Sequence, residues 1–436
     1  MHILWTPEQA LGLAPDRYSL KMGRTFAQPD RWSNLGCNQQ AAWGEFPVSG
    51  KPPFRTRLNL AELRFDCSCF NRKFPCTHSV SLLLLLIEQP EIFTPISPPD
   101  WVTAWLRTLN PAAQAHSSAL PAIAADQQRQ ANLMAGLQEL DLWLRDLLRG
   151  GFAAAQEKPK SYWTQMADRL VDMQAGNLAG EVRQIPTLLD SHSDWPEQLL
   201  KKLGRLHLLI QGFARLDRLP EPMQADLRAA AGWLPRPNET PPGRPQRDHW
   251  HVLARRTEQE GKQRLQRTWL WGKKHNQPAL IIDLAYGRQP LDTSLVVGTV
   301  IEADLHFHAG TVPLQAHLTA RHRLTQAQDF ITGTASIKAA LDSYTTALTT
   351  NPWSAYFPLA LTAITPLHLD QAWFIRDRAG YALPLPPKFE YGWHLLALSQ
   401  GHPLSLFGEW DGRHFQPLTV WQHGRLLELH LLGGVT

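Results

Sequence analysis

Three of the four cysteines in this chain fall between positions 67 and 76, and a histidine follows at 78. The run is Cys67-Ser68-Cys69-Phe70-Asn71-Arg72-Lys73-Phe74-Pro75-Cys76-Thr77-His78: C-x-C, six residues, then C-x-H. Thiols clustered this way read as metal ligands in a reducing compartment, not as a disulfide framework. Zinc takes four tetrahedral ligands from thiolate and imidazole. In extended backbone, side chains two apart share a face, so Cys67 and Cys69 can aim at one ion. The six-residue loop turns the chain back, Pro75 stiffens the return, and Cys76 and His78 supply the second pair. With all four positions filled by protein, one bound Zn2+ is structural and not catalytic. It contributes on the order of 10 kcal/mol to folding.

The segment after the ligands is constrained as well. Ser79 to Glu88 reads as a short, mostly leucine helix, so His78 stands at its start, where the helix dipole favours neighbouring thiolates. Three thiolates and a neutral imidazole leave one excess negative charge, and Arg64, Arg72 and Lys73 lie close in sequence to offset it. Together with Arg55 and Arg57 they make the segment locally basic, although Glu62 and Asp66 intervene. Phosphate contact is one reading of these five residues. A solvated face that balances the zinc charge is the plainer one and is preferred.

At 436 residues the chain is too long for one core, and its 43% hydrophobic and 19% charged residues are an ordinary globular balance. Residues 1–98 form the zinc-bearing region, with Phe54 to Leu60 alternating as a half-buried strand should. Residues 99–234 read as a helical domain. Leu133, Leu137, Leu140, Leu144 and Leu147 fall on one helical face, and Gly150-Gly151 ends that segment. Trp163, Met166, Leu170 and Met173 repeat the pattern, as do Leu199, Leu203, Leu206, Ile210 and Phe213 behind the helix-start residues Ser193, Asp194 and Pro196. Leu227 to Trp233 closes the bundle. Residues 235–247 carry the proline-rich linker.

Residues 248–436 read as β-rich. Trp250 to Arg256, Arg264 to Trp271 and Ala279 to Tyr286 are successive antiparallel strands, and Val296 to His308 is another. Hairpins turn at Asp377 to Gly380 and at Asp411-Gly412. One helix, marked by Ile337, Leu341, Tyr344 and Leu348, interrupts the strands. The expected fold class is therefore α+β multidomain: a small zinc-bound finger, a helical bundle and a β-rich C-terminal domain. The 17 tryptophans read mainly as core anchors.

The zinc motif resembles the SWIM zinc finger, in which C-x-C and C-x-H flank a loop ahead of an apolar helix. Gly44 to Phe54 looks like that family's leading strand, and Arg72 to Ser79 like its return loop. Phe70 and Thr77 depart from the Pro and Lys common in the family, but neither is a ligand. The chain also looks like the long bacterial SWIM proteins in four stretches: Leu140 to Leu147, Lys202 to Leu209, Arg267 to Gly272 and Leu406 to Gly412. That resemblance implies a non-enzymatic protein-interaction subunit working beside a MoxR-type AAA ATPase and a von Willebrand factor A domain protein. SWIM fingers more generally imply DNA or protein binding.

The remaining features are weaker. The net charge of +4 permits nucleic-acid contact without arguing for it. Cys37 reads as a small packed residue. Asp304, His306 and His308 share one strand face, with His317 and His322 following. A second metal is conceivable there, but a solvated face opposite Leu305 and Phe307 is the preferred expectation. No phosphate-binding, zinc-protease, serine-hydrolase or dinucleotide motif is present, so no enzyme is expected. The N-terminus lacks a signal-peptide pattern and no apolar run spans a bilayer, so the cytoplasm is the expected compartment.

Overall fold

The computed structural model describes all residues except 1–6, 12, 15–16, 61–63, 70–74, 109–118, 191–193, 234–243, 261–262, 288, 290, 327–332, 423 and 433–436. The N-terminal region comprises α1 (Pro7–Leu11), α2 (Arg17–Phe26), β1 (Ser33–Cys37), β2 (Ala41–Val48), β3 (Lys51–Asn59), β4 (Arg64–Cys67), α3 (Thr77–Glu88), β5 (Thr94–Pro95) and α4 (Asp100–Thr108). Its strands form one sheet in the order β4-β3-β2-β1-β5. The alternation expected from Phe54 onward is β3, and it gives the sheet two distinct faces. Thr56 and Leu58 are fully buried toward α3, while Arg55 and Arg57 point the other way.

Helix α3 has no polar stripe, so it must be covered on every side. All residues from Thr77 to Leu86 are buried. The sheet lies on one side of it, and α1 and α2 lie on the other. Gly23 permits the close approach of α2, because a Cβ there would sit 2.9 Å from Val80 Cγ1. Ser81 Oγ then donates to Gly23 O at 2.9 Å. Helix α4 falls in the stretch expected to open the helical domain, yet its Val102 packs with Ala41 and Trp43 on the opposite face of this sheet.

The helical region contains α5 (Ala119–Gln156), α6 (Lys160–Asp172), α7 (Gly176–Arg183), α8 (Ile185–Leu189), α9 (Trp195–Phe213) and α10 (Glu221–Ala231). The leucine stripes of α5 and α9 and the Trp163–Leu170 stripe of α6 are its core. Gly151 breaks the helical backbone of α5 at φ 79°, ψ 162°, but one more helical turn follows before the segment ends. The expected linker lies largely outside the described residues.

The C-terminal region holds two sheets. β6 (Gln246–Glu260), β7 (Gln263–Gly272), β8 (Pro278–Tyr286), β9 (Thr299–Phe307) and β10 (Ala316–Gln326) form the first, in the order β10-β9-β6-β7-β8. It curls almost into a barrel, since Leu280 N of β8 donates to Leu314 O at 2.7 Å just ahead of β10. Trp250, Val252, Leu270, Ile301, Ala303 and Leu305 fill its interior. Then come α11 (Ile337–Thr350), β11 (Phe357–Leu369), β12 (Ala372–Arg376), β13 (Ala382–Pro384), α12 (Gly392–Ser399), β14 (Leu404–Trp410), β15 (Phe415–Gln422), β16 (Arg425–Glu428) and α13 (Leu429–Leu432). These strands make the second sheet, ordered β13-β12-β11-β14-β15-β16, with both expected hairpins in it. Among the described residues, no helix is long and apolar enough to cross a membrane.

The two C-terminal sheets meet through a buried charge network. Arg267 of β7 donates to Glu409 of β14 from Nε at 2.9 Å and from a terminal nitrogen at 3.0 Å. Trp269 Nε1 adds a bond to the same carboxylate at 2.8 Å. Glu258 takes the other side of the guanidinium at 2.9 and 3.0 Å, and the Tyr356 ring lies 4.1 Å from it. Burial disfavours the Arg267 charge, but the bonds to Glu409 and Glu258 outweigh it and raise its pKa. Gly408, beside Glu409, must lack a side chain, because a Cβ there would meet Gln416 O at 2.2 Å.

Removing one partner of such a pair strands the other charge. Arg267→Met is therefore expected to cost about 3–5 kcal/mol, and the double variant Arg267→Met/Glu409→Leu to recover much of that loss. Urea denaturation followed by tryptophan fluorescence measures both, and equal losses in the single and double variants would remove this pair from its structural role.

Candidate metal centre

The end of β4, the loop after it and the start of α3 bring the cluster together. β4 ends at Cys67, directly opposite Thr56 of β3 in the antiparallel register. Cys69 lies two residues beyond. The chain returns through Pro75 to Cys76, which is the N-cap of α3, and His78 lies in the first turn of that helix. Ligand atoms from Cys67, Cys69, Cys76 and His78 all lie within 4.8 Å of one another, so the four can hold one metal ion. His78 Nδ1 is 3.9 Å from the sulfurs of both Cys67 and Cys76. Zinc–sulfur bonds of about 2.3 Å and zinc–nitrogen bonds of about 2.0 Å, set tetrahedrally, place ligand atoms roughly 3.5–3.8 Å apart. The donor set and its spacing fit that ion.

The surroundings orient the donors. Cys76 Sγ accepts the Ser79 backbone N–H at 3.4 Å, so one sulfur both caps the helix and faces the cluster. Ser79 Oγ lies 3.3 Å from the same sulfur, and Thr56 Oγ1 lies 3.2 Å from that of Cys67. Rings of Phe26, Phe46 and Phe54 surround the His78 imidazole at 5.7, 4.7 and 5.1 Å. Adjacent thiols resist ionising together. Hydrogen bonds to Cys67 and then Cys69 hold the Cys76 thiol well below its ordinary range, while the contacts with Cys69 and Cys76 push Cys67 up. A divalent cation removes that conflict by stabilising every sulfur as thiolate.

Sequence spacing alone pointed to none of the supporting residues. Thr56 lies on the buried side of the alternating strand that carries Leu58, and Ser79 stands three residues after the cap, where an N-cap acceptor finds its partner. Those two positional signals would have identified both.

Arg55 and Arg57 lie on the opposite face of the sheet from the cluster. Arg57 pairs with Asp66 Oδ2 at 2.7 Å through Nε, donates to Trp101 O, and lies over the Trp101 and Trp105 rings at 5.6 and 5.4 Å. Arg55 pairs with Glu45 at 3.0 Å and lies 5.5 Å from the Trp101 ring. Arg64 acts electrostatically on Asp283 of β8. Arg72 and Lys73 lie outside the described residues. Cys37 is buried on β1, and burial pushes its thiol pKa up.

The histidine strand departs from the preferred expectation of a solvated face. His306 is 3% exposed, because both faces of β9 are covered at this point. The residues also separate into two groups. Asp304 is occupied by Arg247 at 2.7 and 3.0 Å and by His322 Nε2 at 2.9 Å. His306, His308 and His317 instead carry buried Nε2 atoms with no hydrogen-bond partner. Burial, with help from His317 and His306, pulls the His308 pKa down to about 4, and burial lowers that of His317.

No curated protein and no solved structure matches this chain. Residues 128–231, which span most of α5 through α10, match the family model of the SWIM-associated four-helix bundle domain. With the Cys3His cluster ahead of it, the chain thus pairs a site consistent with a SWIM zinc finger with the helical domain associated with such fingers.

Proposed function

We propose that the chain is a zinc-knit, non-catalytic protein-interaction subunit whose partners are a MoxR-type AAA ATPase and a von Willebrand factor A domain protein. The observation that carries this reading is the juxtaposition of the closed Cys3His cluster with the SWIM-associated bundle at residues 128–231. Four protein donors satisfy a tetrahedral zinc ion, so the metal's role is to fasten β4 to α3. The partners are those implied by the resemblance to long bacterial SWIM proteins.

The C-terminal region offers a surface suited to such a role. Trp393 of α12 is 63% exposed and stands edge-on to Trp373 at 5.0 Å, with His368 4.4 Å from Trp373. Exposed aromatic groups of this kind are typical contacts in protein interfaces. By contrast, Arg57 and Arg55 already stack on tryptophan and pair with carboxylates. The reading as a nucleic-acid binder therefore rests on Arg64, Arg72 and Lys73.

Two experiments test the reading. For the metal, Cys76→Ser and Cys76→Ala are both expected to lose bound zinc by elemental analysis. The serine still caps α3, so the alanine variant should be less stable by a further ~1 kcal/mol. Stoichiometric zinc in either variant would reject the ligand assignment. For the partners, nuclease-treated affinity purification from the native host should retain the ATPase and the von Willebrand A protein, and Trp393→Ala should reduce their recovery. Loss of both partners on nuclease treatment, with a steep salt dependence, would replace this reading with nucleic-acid binding.

A further inference from the structure

We propose that His306, His308 and His317 form a second metal site, built from nitrogen donors only, for a borderline divalent cation such as Zn2+ or Ni2+. His306 lies on β9 and His308 directly follows its end, where His308 N still donates to Gln315 O at 2.9 Å, and the antiparallel register sets His317 of β10 directly opposite His306. All three side chains therefore belong to one face, the outer face of the near-barrel, opposite the side that buries Leu305 and Ala303. The His308 and His317 rings are 4.3 Å apart between centroids, inclined at 43°.

The second observation is the state of the ring nitrogens. The Nε2 atom of each of the three is buried and has no hydrogen-bond partner, and His306 as a whole is 3% exposed. Buried polar groups in native proteins are nearly always satisfied, so three orphaned nitrogens on facing positions call for a common partner. A neutral imidazole offers a lone pair, and imidazole donors suit zinc and nickel.

Neighbouring groups define the donor set. Asp304 also lies on this face, but its carboxylate is bonded to Arg247 and His322. Three neutral donors then bind the ion without a protein counter-charge and leave a coordination position for water or an anion. The rings are more open than the cysteine cluster: among the described residues, only the Cys67–His78 set brings three or more donors within 4.8 Å of one another. Closure on an ion needs the rings to rotate about their side-chain torsions.

The test uses the full chain, reduced and loaded with one equivalent of zinc, then titrated with Ni2+ at neutral pH by calorimetry. One additional equivalent should bind, and His308→Phe and His317→Phe should each weaken it at least tenfold while the first equivalent of zinc is retained. Loading the stripped chain with Co2+ gives an independent readout. Thiolate-to-metal charge transfer should saturate at one equivalent, while the second equivalent adds only ligand-field bands. His308→Gln serves if the phenylalanine variant fails to retain its zinc. Binding that stops at one equivalent, or a second equivalent unchanged in the His308 and His317 variants, overturns the site.

Discussion

Helix α3 sets the terms for the N-terminal region. A run of leucines, Leu82 to Leu86, fills its middle and it has no polar face, so water cannot cover any side of it. The sheet, α1 and α2 supply that cover, and the first turn then needs partners for its free N–H groups in a place where solvent is scarce. Cys76 answers the need with a sulfur that accepts from Ser79 N. The cluster is thus built into the helix start, and metal binding and helix capping reinforce one another. Thr77 and His78 are buried for the same reason, which brings the imidazole against Phe26, Phe46 and Phe54 and away from water.

A comparable economy operates in the rest of the chain. Four stretches that lie far apart in sequence meet in pairs. Leu140 to Leu147 and Lys202 to Leu209 come together where Asp141 faces His207 at 3.6 Å and Arg145 at 2.6 Å. Arg267 to Gly272 and Leu406 to Gly412 come together in the Arg267–Glu409–Trp269 network. Residues near these stretches also join the helical and C-terminal regions. Arg413, just past Gly412, reaches Asp194 at 2.9 Å, and Arg205 donates to Trp353 O at 2.6 Å.

Local chemistry was legible in the sequence where one side-chain period or one ligand set dominated. The Cys3His set, the leucine stripes and the β14–β15 hairpin belong to that class. Less legible were elements whose pattern is set by tertiary packing. β11 carries Pro358 and Pro366 and a positive φ of 56° at Ala363, all of which disguise a central strand. α12 is short and apolar and has no side-chain cap. α4 reads as an ordinary amphipathic helix, and nothing local says that it faces Trp43 and not the bundle. The His306 face misled for a related reason. Alternation separates two faces of a strand but does not say which is wet, and at His306 β9 is covered on both.

Sequence proximity misled most at the basic residues. Arg55 and Arg57 flank Thr56, which touches the sulfur of Cys67, so a linear reading places their charges at the metal. The pleat places them on the other side of the sheet, with Glu45, Asp66 and the α4 tryptophans. There they engage a carboxylate and a tryptophan ring each. Among the described residues, the Ser79 N–H, the helix start, and the hydroxyls of Ser79 and Thr56 lie against the cluster's sulfurs. One face of the sheet therefore brings the metal ligands together while the other fixes α4, so this region is a joint between layers.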